Sequence, residues 1–202
     1  MHTRVANAEK LQGKPFVHFW ETESPFCNFH PSPFKATLSN GVTHEFSCSE
    51  QFFMAEKALL VNDHQSCQRI LHAILPIEMK TIGRELKMDK FDLEKWSTVG
   101  VIAMKNACYE KFAQNKELRL ALFRTMNMEL VEASPFDKIW GIGIETNDKR
   151  ADDRNNWRGE NKLGIVLDIV REELALRPEF KDDVQKIGEE SMTMRIEQLQ
   201  NF

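Results

Sequence analysis

The spacing of hydrophobic and polar positions changes several times along this chain. "VHFW" at 17–20 is short, apolar and aromatic, the pattern of a buried strand. In "FKATLSNGVTHEFS" two β-prone runs flank Asn40-Gly41, the strongest short-range signal of a hairpin. The period then becomes helical. "SCSEQFFMAEKALLV" carries Ser47 and Glu50 at the spacing of a capping box and predicts a helix from about Cys48 to Val61. "HQSCQRILHAIL" predicts a second helix, stopped by Pro76, and "IEMKTIGREL" a short third, weakened by Gly83. From Asp92, the positions Leu93, Trp96, Val99 or Gly100, Ala103 or Met104, Ala107, and Tyr109 or Phe112 keep helical spacing and give the longest helix, roughly 92–113. A further helix is expected over 116–125. "ELVEAS" and "KIWGIGIE" read as short strands around a Ser-Pro turn, and "NKLGIVLDIVREELAL" as an amphipathic helix over 161–176.

Strands do not alternate regularly with helices, so a doubly wound sheet is disfavoured. The pattern predicts an α+β fold, mostly helical with a small β-sheet. Residues 1–15 read as an N-terminal extension, 16–177 as the domain, and 178–202, beginning at Pro178, as an acidic helix or tail. That last segment holds six acidic and three basic residues and few large apolar ones, which suits contact with a partner or second subunit better than chemistry. Ser-Pro-Phe recurs at 24–26, 32–34 and 134–136, but without a fixed period or shared flanks, so it is no internal repeat. The first and third copies read as rigid turns, each soon followed by a polar residue: Asn28 and Asp137.

Composition narrows the function classes. The 202 residues are 42% hydrophobic and 29% charged, an ordinary globular balance. A net charge of -4 argues against a long phosphate-tracking surface and still permits a local anion pocket. No apolar run approaches the roughly 20 residues that span a membrane, and "MHTRVANAEKLQGK" lacks the apolar core of a secretory signal. Cys27, Cys48, Cys67 and Cys108 show no CxxC spacing and read as reduced thiols of a cytoplasmic protein. The six histidines form no HExxH or HxH pair, so neither a metal nor a cofactor is expected. Gly141 and Gly143 lack the third glycine of a dinucleotide fingerprint and open no helix.

Four clusters carry candidate chemistry, and each has an ordinary structural account beside it. Glu50, Met54, Lys57 and Val61 share one helix face, with Glu50 and Lys57 about 10 Å apart along the axis at 1.5 Å per residue. The plain account is a cap and a surface lysine. Against it, Phe52, Phe53, Ala55, Ala58 and Leu59 crowd the helix, and charges on a packed helix need partners or a pocket. In "SPFDKIWGIG", Asp137 follows a rigid turn and precedes Trp140, while Gly141 and Gly143 leave room for a ligand against backbone. A turn aspartate beside a buried tryptophan is the alternative. In "DRNNWRGENKLG", Trp157 precedes Asn161, a candidate cap for a helix whose free N–H groups suit an anion. In "KTIGRELK", Arg84 is either a phosphate clamp or a surface arginine.

In order along the chain, "FWETESPFCNFHPSPF", "FSCSEQFFMAEKALL", "IGREL", "ELVEASPFDKIWGIGI" and "NNWRGENKLGIVLDIVREEL" resemble the successive blocks of the YbiA-like family, also called NADAR for its link to NAD and ADP-ribose. The resemblance spans roughly residues 16–176. It implies the YbiA-like α+β fold and an N-glycosidase that hydrolyses the bond between C1 of a ribose phosphate unit and a nitrogen. Two substrate classes come with it: ADP-ribose on guanine in nucleic acid, and ribosylamino-pyrimidine intermediates of riboflavin synthesis. By motif position it implies Glu50, Lys57 and Asp137 as catalytic residues. The implied substrate-binding residues are Ser24, Phe26, Asn28, Arg84, Trp96, Trp140, Gly141, Trp157 and Asn161. The chain departs from the family pattern at Cys27, where a serine is common, at Glu160, where a glutamine is common, and in "TMNMELVEAS", which lacks a glycine after the threonine.

Such a reaction builds positive charge at C1, which a carboxylate stabilises while activating water. Glu50 is assigned the acid/base role, with Asp137 as second carboxylate. Lys57 is either a nucleophile that captures the ring-opened sugar as a Schiff base or a phosphate clamp. The alternative is a non-catalytic ADP-ribose or nucleotide-binding module, which needs arginines and aromatics but not that trio. The expected partners are a ribose-phosphate or ADP-ribosyl substrate and ADP-ribosylated nucleic acid, with no membrane.

Overall fold

A computed structural model describes residues 2–6 and 14–202, so the expected extension over 1–15 lies partly outside the described residues. In chain order its first elements are β1 (Thr3–Val5), β2 (Phe16–Phe19), β3 (Phe34–Thr37), β4 (Thr43–Phe46), α1 (Ser49–Leu60), α2 (His64–His72) and α3 (Pro76–Glu85). There follow α4 (Lys90–Gln114), α5 (Lys116–Arg124), β5 (Glu129–Glu132), α6 (Lys162–Ala175), α7 (Lys181–Glu189) and α8 (Met192–Gln200). These form two compact units, one from Met1–Cys27 with Lys116–Phe202 and one from Asn28–Asn115. No helix among the described residues is long and apolar enough to cross a membrane.

The first unit is built on a three-stranded sheet in the order β1-β2-β5. β1 runs antiparallel to β2, with Val5 opposite Val17, and β5 runs parallel to it, with Phe16 opposite Glu129. β2 is buried along its whole length, which is why it reads as an unbroken apolar run rather than an alternation. Phe16, Val131, Ala133, Ile142, Ile144 and Ala151 form a core against which Trp157 packs. "KIWGIGIE" is not the strand that its apolar residues suggest. It is an irregular loop, in which Ile142 N donates to Glu132 O and Gly143 N to Asp137 O. Its isoleucines at 142 and 144 are buried because the loop folds back on the core, and alternation alone cannot tell that from a strand.

The C-terminal segment is folded, not trailing. α7 and α8 pack on α5, and α8 also meets β1. Arg119 of α5 holds Asp183 at 2.8 Å and Arg124 holds Glu190 at 3.0 Å, so part of the segment's acidity is spent on α5 arginines.

In the second unit α1 packs against α2, α3 and α4. The hairpin β3–β4 forms as read from Asn40-Gly41, with Phe34 opposite Phe46 and their rings stacked at 5.5 Å. Pro76 opens α3 rather than closing α2, taking the first-turn position where its missing N–H is no loss. Gly83 belongs to α3 for a packing reason: a Cβ there would lie 2.0 Å from Met54 Sδ of α1. α4 starts earlier than its apolar pattern, because Asp89 and Asp92 form a capping box with each other's backbone N–H.

Candidate functional site

The second unit brings together much of what the sequence proposed for chemistry. The first turn of α1 does not carry the expected capping box. Cys48 is the cap residue, and no side chain caps it. Ser47 turns instead to Gln51, whose Oε1 accepts from Ser47 N at 2.8 Å and Ser47 Oγ at 3.2 Å. Glu50, beside this contact, is only 5% exposed. A buried carboxylate stands apart from ordinary surface glutamates. Its backbone N–H donates to Asn28 O at 3.1 Å, which ties the Asn28 loop to the start of α1. The Asn28 side chain donates from Nδ2 to Met104 Sδ at 3.2 Å.

Seven residues on from Glu50, on the same face, Lys57 is half-buried and donates from Nζ to Gly83 O at 2.8 Å. Burial pushes its ammonium below the usual lysine range; the negative charge of Glu50 opposes this, and the Arg84 guanidinium adds to it. Arg84 is exposed at the end of α3. Phe53, between Glu50 and Lys57 in sequence, meets the half-buried Trp96 of α4 with ring centroids 4.9 Å apart. Glu50, Lys57, Arg84 and Trp96 are thus assembled around one helix of one unit.

One residue of this unit escaped the sequence reading. Lys111 of α4 is 1% exposed. Buried lysines are rare, and this one lies close enough to the buried Cys48 thiol to act on it, as does Glu50; burial itself is what pushes that thiol up. The available signal was helical register: Lys111 shares a face of α4 with Met104 and Cys108.

In the first unit each candidate has contacts within the fold. Ser24 is buried, and its hydroxyl shares a 3.1 Å hydrogen bond with that of Thr3. Phe26 is fully buried against Phe19. Trp157 packs on Phe16 and donates from Nε1 to Ala151 O at 2.9 Å. Asn161 does not cap α6. It adopts a left-handed backbone, its Oδ1 accepts from Glu132 N at 2.9 Å, and its Nδ2 donates to Leu130 O at 2.9 Å. Its side chain splices the loop to β5. The expected anion site at the start of α6 is also filled by protein, because Lys162 N and Leu163 N donate to the carbonyls of Ile139 and Trp140.

The Ser-Pro-Phe turn at 134–136 is rigid as expected. Ser134 Oγ accepts from Phe136 N at 3.4 Å and Asp137 N at 3.2 Å, and Asp137 Oδ1 accepts from Ile139 N at 2.9 Å and Trp140 N at 2.8 Å. Trp140 is half-buried. Gly141 is required by its own loop: a Cβ would lie 2.8 Å from Glu132 O and 3.0 Å from Asp137 O. Among the described residues one group could offer three metal ligands, His2, Glu21 and Glu23. It is exposed, and His2 is already paired with Glu21 at 2.7 Å.

The comparisons with known proteins agree on the family. A family model described as the NADAR domain matches residues 16–175. The chain is 47% identical to Protein irg-1 of Caenorhabditis elegans, across all of this chain and 99% of that one. It is 35% identical to N-glycosidase R617 of Acanthamoeba polyphaga mimivirus, over 73% of this chain and 86% of the relative. It is 28% identical to N-glycosidase YbiA of Escherichia coli strain K12, over 87% of this chain and 99% of the relative. The NMR structure of E. coli YbiA superposes with a TM-score of 0.62 at 29% identity, covering 82% of this chain and 88% of that one. The chain therefore belongs to the NADAR domain family.

Proposed function

We propose that this chain is a hydrolase of N-glycosyl bonds, cleaving between C1 of a ribose phosphate unit and a nitrogen. The observation that carries the reading is the placement on α1 of a buried carboxylate, Glu50, and a half-buried lysine on the same face, Lys57, whose charges act on one another. Two relatives named N-glycosidases, from a virus and a bacterium, support it. The substrate classes are ADP-ribosylated guanine and ribosylamino-pyrimidine phosphates.

In the direct route the C1–N bond breaks as positive charge grows on C1 and the ring oxygen. The Glu50 carboxylate stabilises that charge and takes a proton from the attacking water. The water oxygen bonds to C1, and the proton taken by Glu50 passes to the departing nitrogen, which returns the carboxylate. In the lysine route the sugar ring opens to its imine, neutral Lys57 Nζ attacks C1, and the base leaves as an amine. Water then hydrolyses the resulting Schiff base, returning the amine of Lys57 and the free sugar. Burial of Lys57 favours the neutral form that this route needs. Arg84 supplies an exposed guanidinium for phosphate and Trp96 an aromatic face for the heterocycle. Asp137 is the proposed second carboxylate, since its turn engages Oδ1 alone.

The test is Glu50→Gln, assayed on both substrate classes. The variant keeps shape and removes charge, and turnover is expected to fall by about 10²–10⁴-fold with the fold intact. Full turnover by this variant would overturn the assignment.

A further inference from the structure

Phe136 is 86% exposed. A phenylalanine on a loose loop would need no account, but this one is held. Pro135 fixes the backbone before it, Ser134 Oγ accepts its N–H, and Asp137 Oδ1 binds the next two free N–H groups of the loop. Its ring meets that of the half-buried Trp20, with centroids 6.0 Å apart and planes tilted by 56°. The same loop brings two cations together. Gly143 has a left-handed backbone at φ +68, and at the place where its Cβ would stand Arg158 Cβ is 3.1 Å away and Lys138 Cγ 3.2 Å. Lys138 and Arg158 are exposed, and neither forms a salt bridge with a described residue. Asp148, which feels the charge of Arg158, is already paired with Arg150 at 2.5 Å.

A rigid exposed aromatic surface followed by two unpaired cations is the chemistry that recognises a base and a phosphate together. Adhesion to an anionic membrane is disfavoured on magnitude, since it calls for clusters of about 4–8 basic residues. We propose that Trp20, Phe136, Lys138 and Arg158 form a nucleotide-docking face, with the base stacked on Phe136 and a phosphate held by Lys138 and Arg158. The proposal rests on the N-glycosidase reading only for the link between that nucleotide and the substrate.

The experiment is fluorescence anisotropy of a labelled single-stranded 10-nucleotide DNA across a salt series, with unlabelled ADP as competitor. It compares the wild-type chain with Phe136→Ala and with Lys138→Ala/Arg158→Ala. The Phe136 side chain is exposed, so its removal leaves the fold intact, which thermal melting checks. Phe136→Ala is expected to weaken binding about tenfold or more. The double variant is expected to flatten the dependence of log K on log salt by up to about 1.4, two phosphates at roughly 0.7 each. Competition by ADP is expected, since the face holds one base and its phosphate; strand binding that ADP does not displace overturns the nucleotide as its occupant. Binding that is absent from the wild type, or unchanged in both variants, overturns it. Turnover is measured in parallel. Turnover without variant-sensitive binding removes the docking face and leaves the N-glycosidase reading, whereas variant-sensitive binding without turnover does the reverse.

Discussion

Lys57 Nζ donates a 2.8 Å hydrogen bond to the carbonyl oxygen of Gly83, joining the candidate nucleophile of α1 to the backbone of α3. The bond fixes where the amine sits, and burial decides how readily it loses its proton. Borohydride added during turnover is expected to give a mass adduct on Lys57, absent in Lys57→Arg. Arginine keeps the positive charge and forms no Schiff base under these conditions. If wild type yields no adduct while turning over, the lysine route is excluded and an electrostatic role for Lys57 remains.

The same contact makes Gly83 a test of the packing that supports it. A methyl group at position 83 would fall 2.0 Å from Met54 Sδ, in a buried seam between α1 and α3. Gly83→Ala should destabilise the chain by about 1–3 kcal/mol through overpacking, despite alanine's better helix propensity. Urea unfolding measures this. Met54→Ala alone leaves a cavity, so the double variant Gly83→Ala/Met54→Ala should cost clearly less than the sum of the two. Strict additivity would show that the seam relaxes without Met54.

His18 gives the first unit a pH dependence. It is buried in β2, its Nε2 faces Ala151 O at 3.2 Å, and burial, with the nearby Arg4 charge, lowers its pKa from 6.5 to about 4. The folded form therefore stays neutral where the unfolded chain takes up a proton. Stability is unaffected above pH 6.5 and falls as pH drops from 6.5 towards 4, by up to about 3 kcal/mol from this one group. Asp168 acts in the opposite sense, since burial raises its pKa to about 6 and folding gains as it protonates. The His18 share is isolated by comparison with His18→Gln, which keeps an N–H for Ala151. Urea midpoints at pH 7.5 and 5 should converge between the two proteins as pH falls. A constant gap would show that His18 does not titrate in this window.

Local signals in the sequence were accurate where structure is local. The hairpin at Asn40-Gly41, helix α1 and the long helix α4 each follow from residues within a turn or two of one another. The signals misled where the partner is distant. Asn161 looked like a cap, but its side chain bonds to Glu132 N and Leu130 O, about thirty residues earlier. The C-terminal segment, read as an acidic helix or tail, forms helices whose anchor no local signal names, since Asp183 finds its arginine 64 residues away. Lys111 is 1% exposed, and one sequence does not mark which face of a long helix is covered. Glu50 matches a capping box by spacing, while the structure gives the contact with Ser47 to Gln51, one residue further on.

Asp137 remains the residue whose two accounts are closest to balance, and a pair of substitutions separates them. The turn uses one oxygen, Oδ1, as acceptor for Ile139 N and Trp140 N. Asparagine supplies the same acceptor and tolerates the same turn, so Asp137→Asn should unfold at the wild-type urea concentration within error. Alanine removes the acceptor and leaves two N–H groups to find water, so Asp137→Ala should lose about 0.5–1.5 kcal/mol. Catalysis asks a different question of the same residue, because only the carboxylate stabilises charge at C1. If Asp137 acts as the second carboxylate, Asp137→Asn loses turnover at least tenfold with KM little changed, the mark of an interaction made in the transition state. Wild-type turnover in Asp137→Asn, together with lost stability in Asp137→Ala, would assign the residue wholly to the turn and leave Glu50 as the one proposed carboxylate.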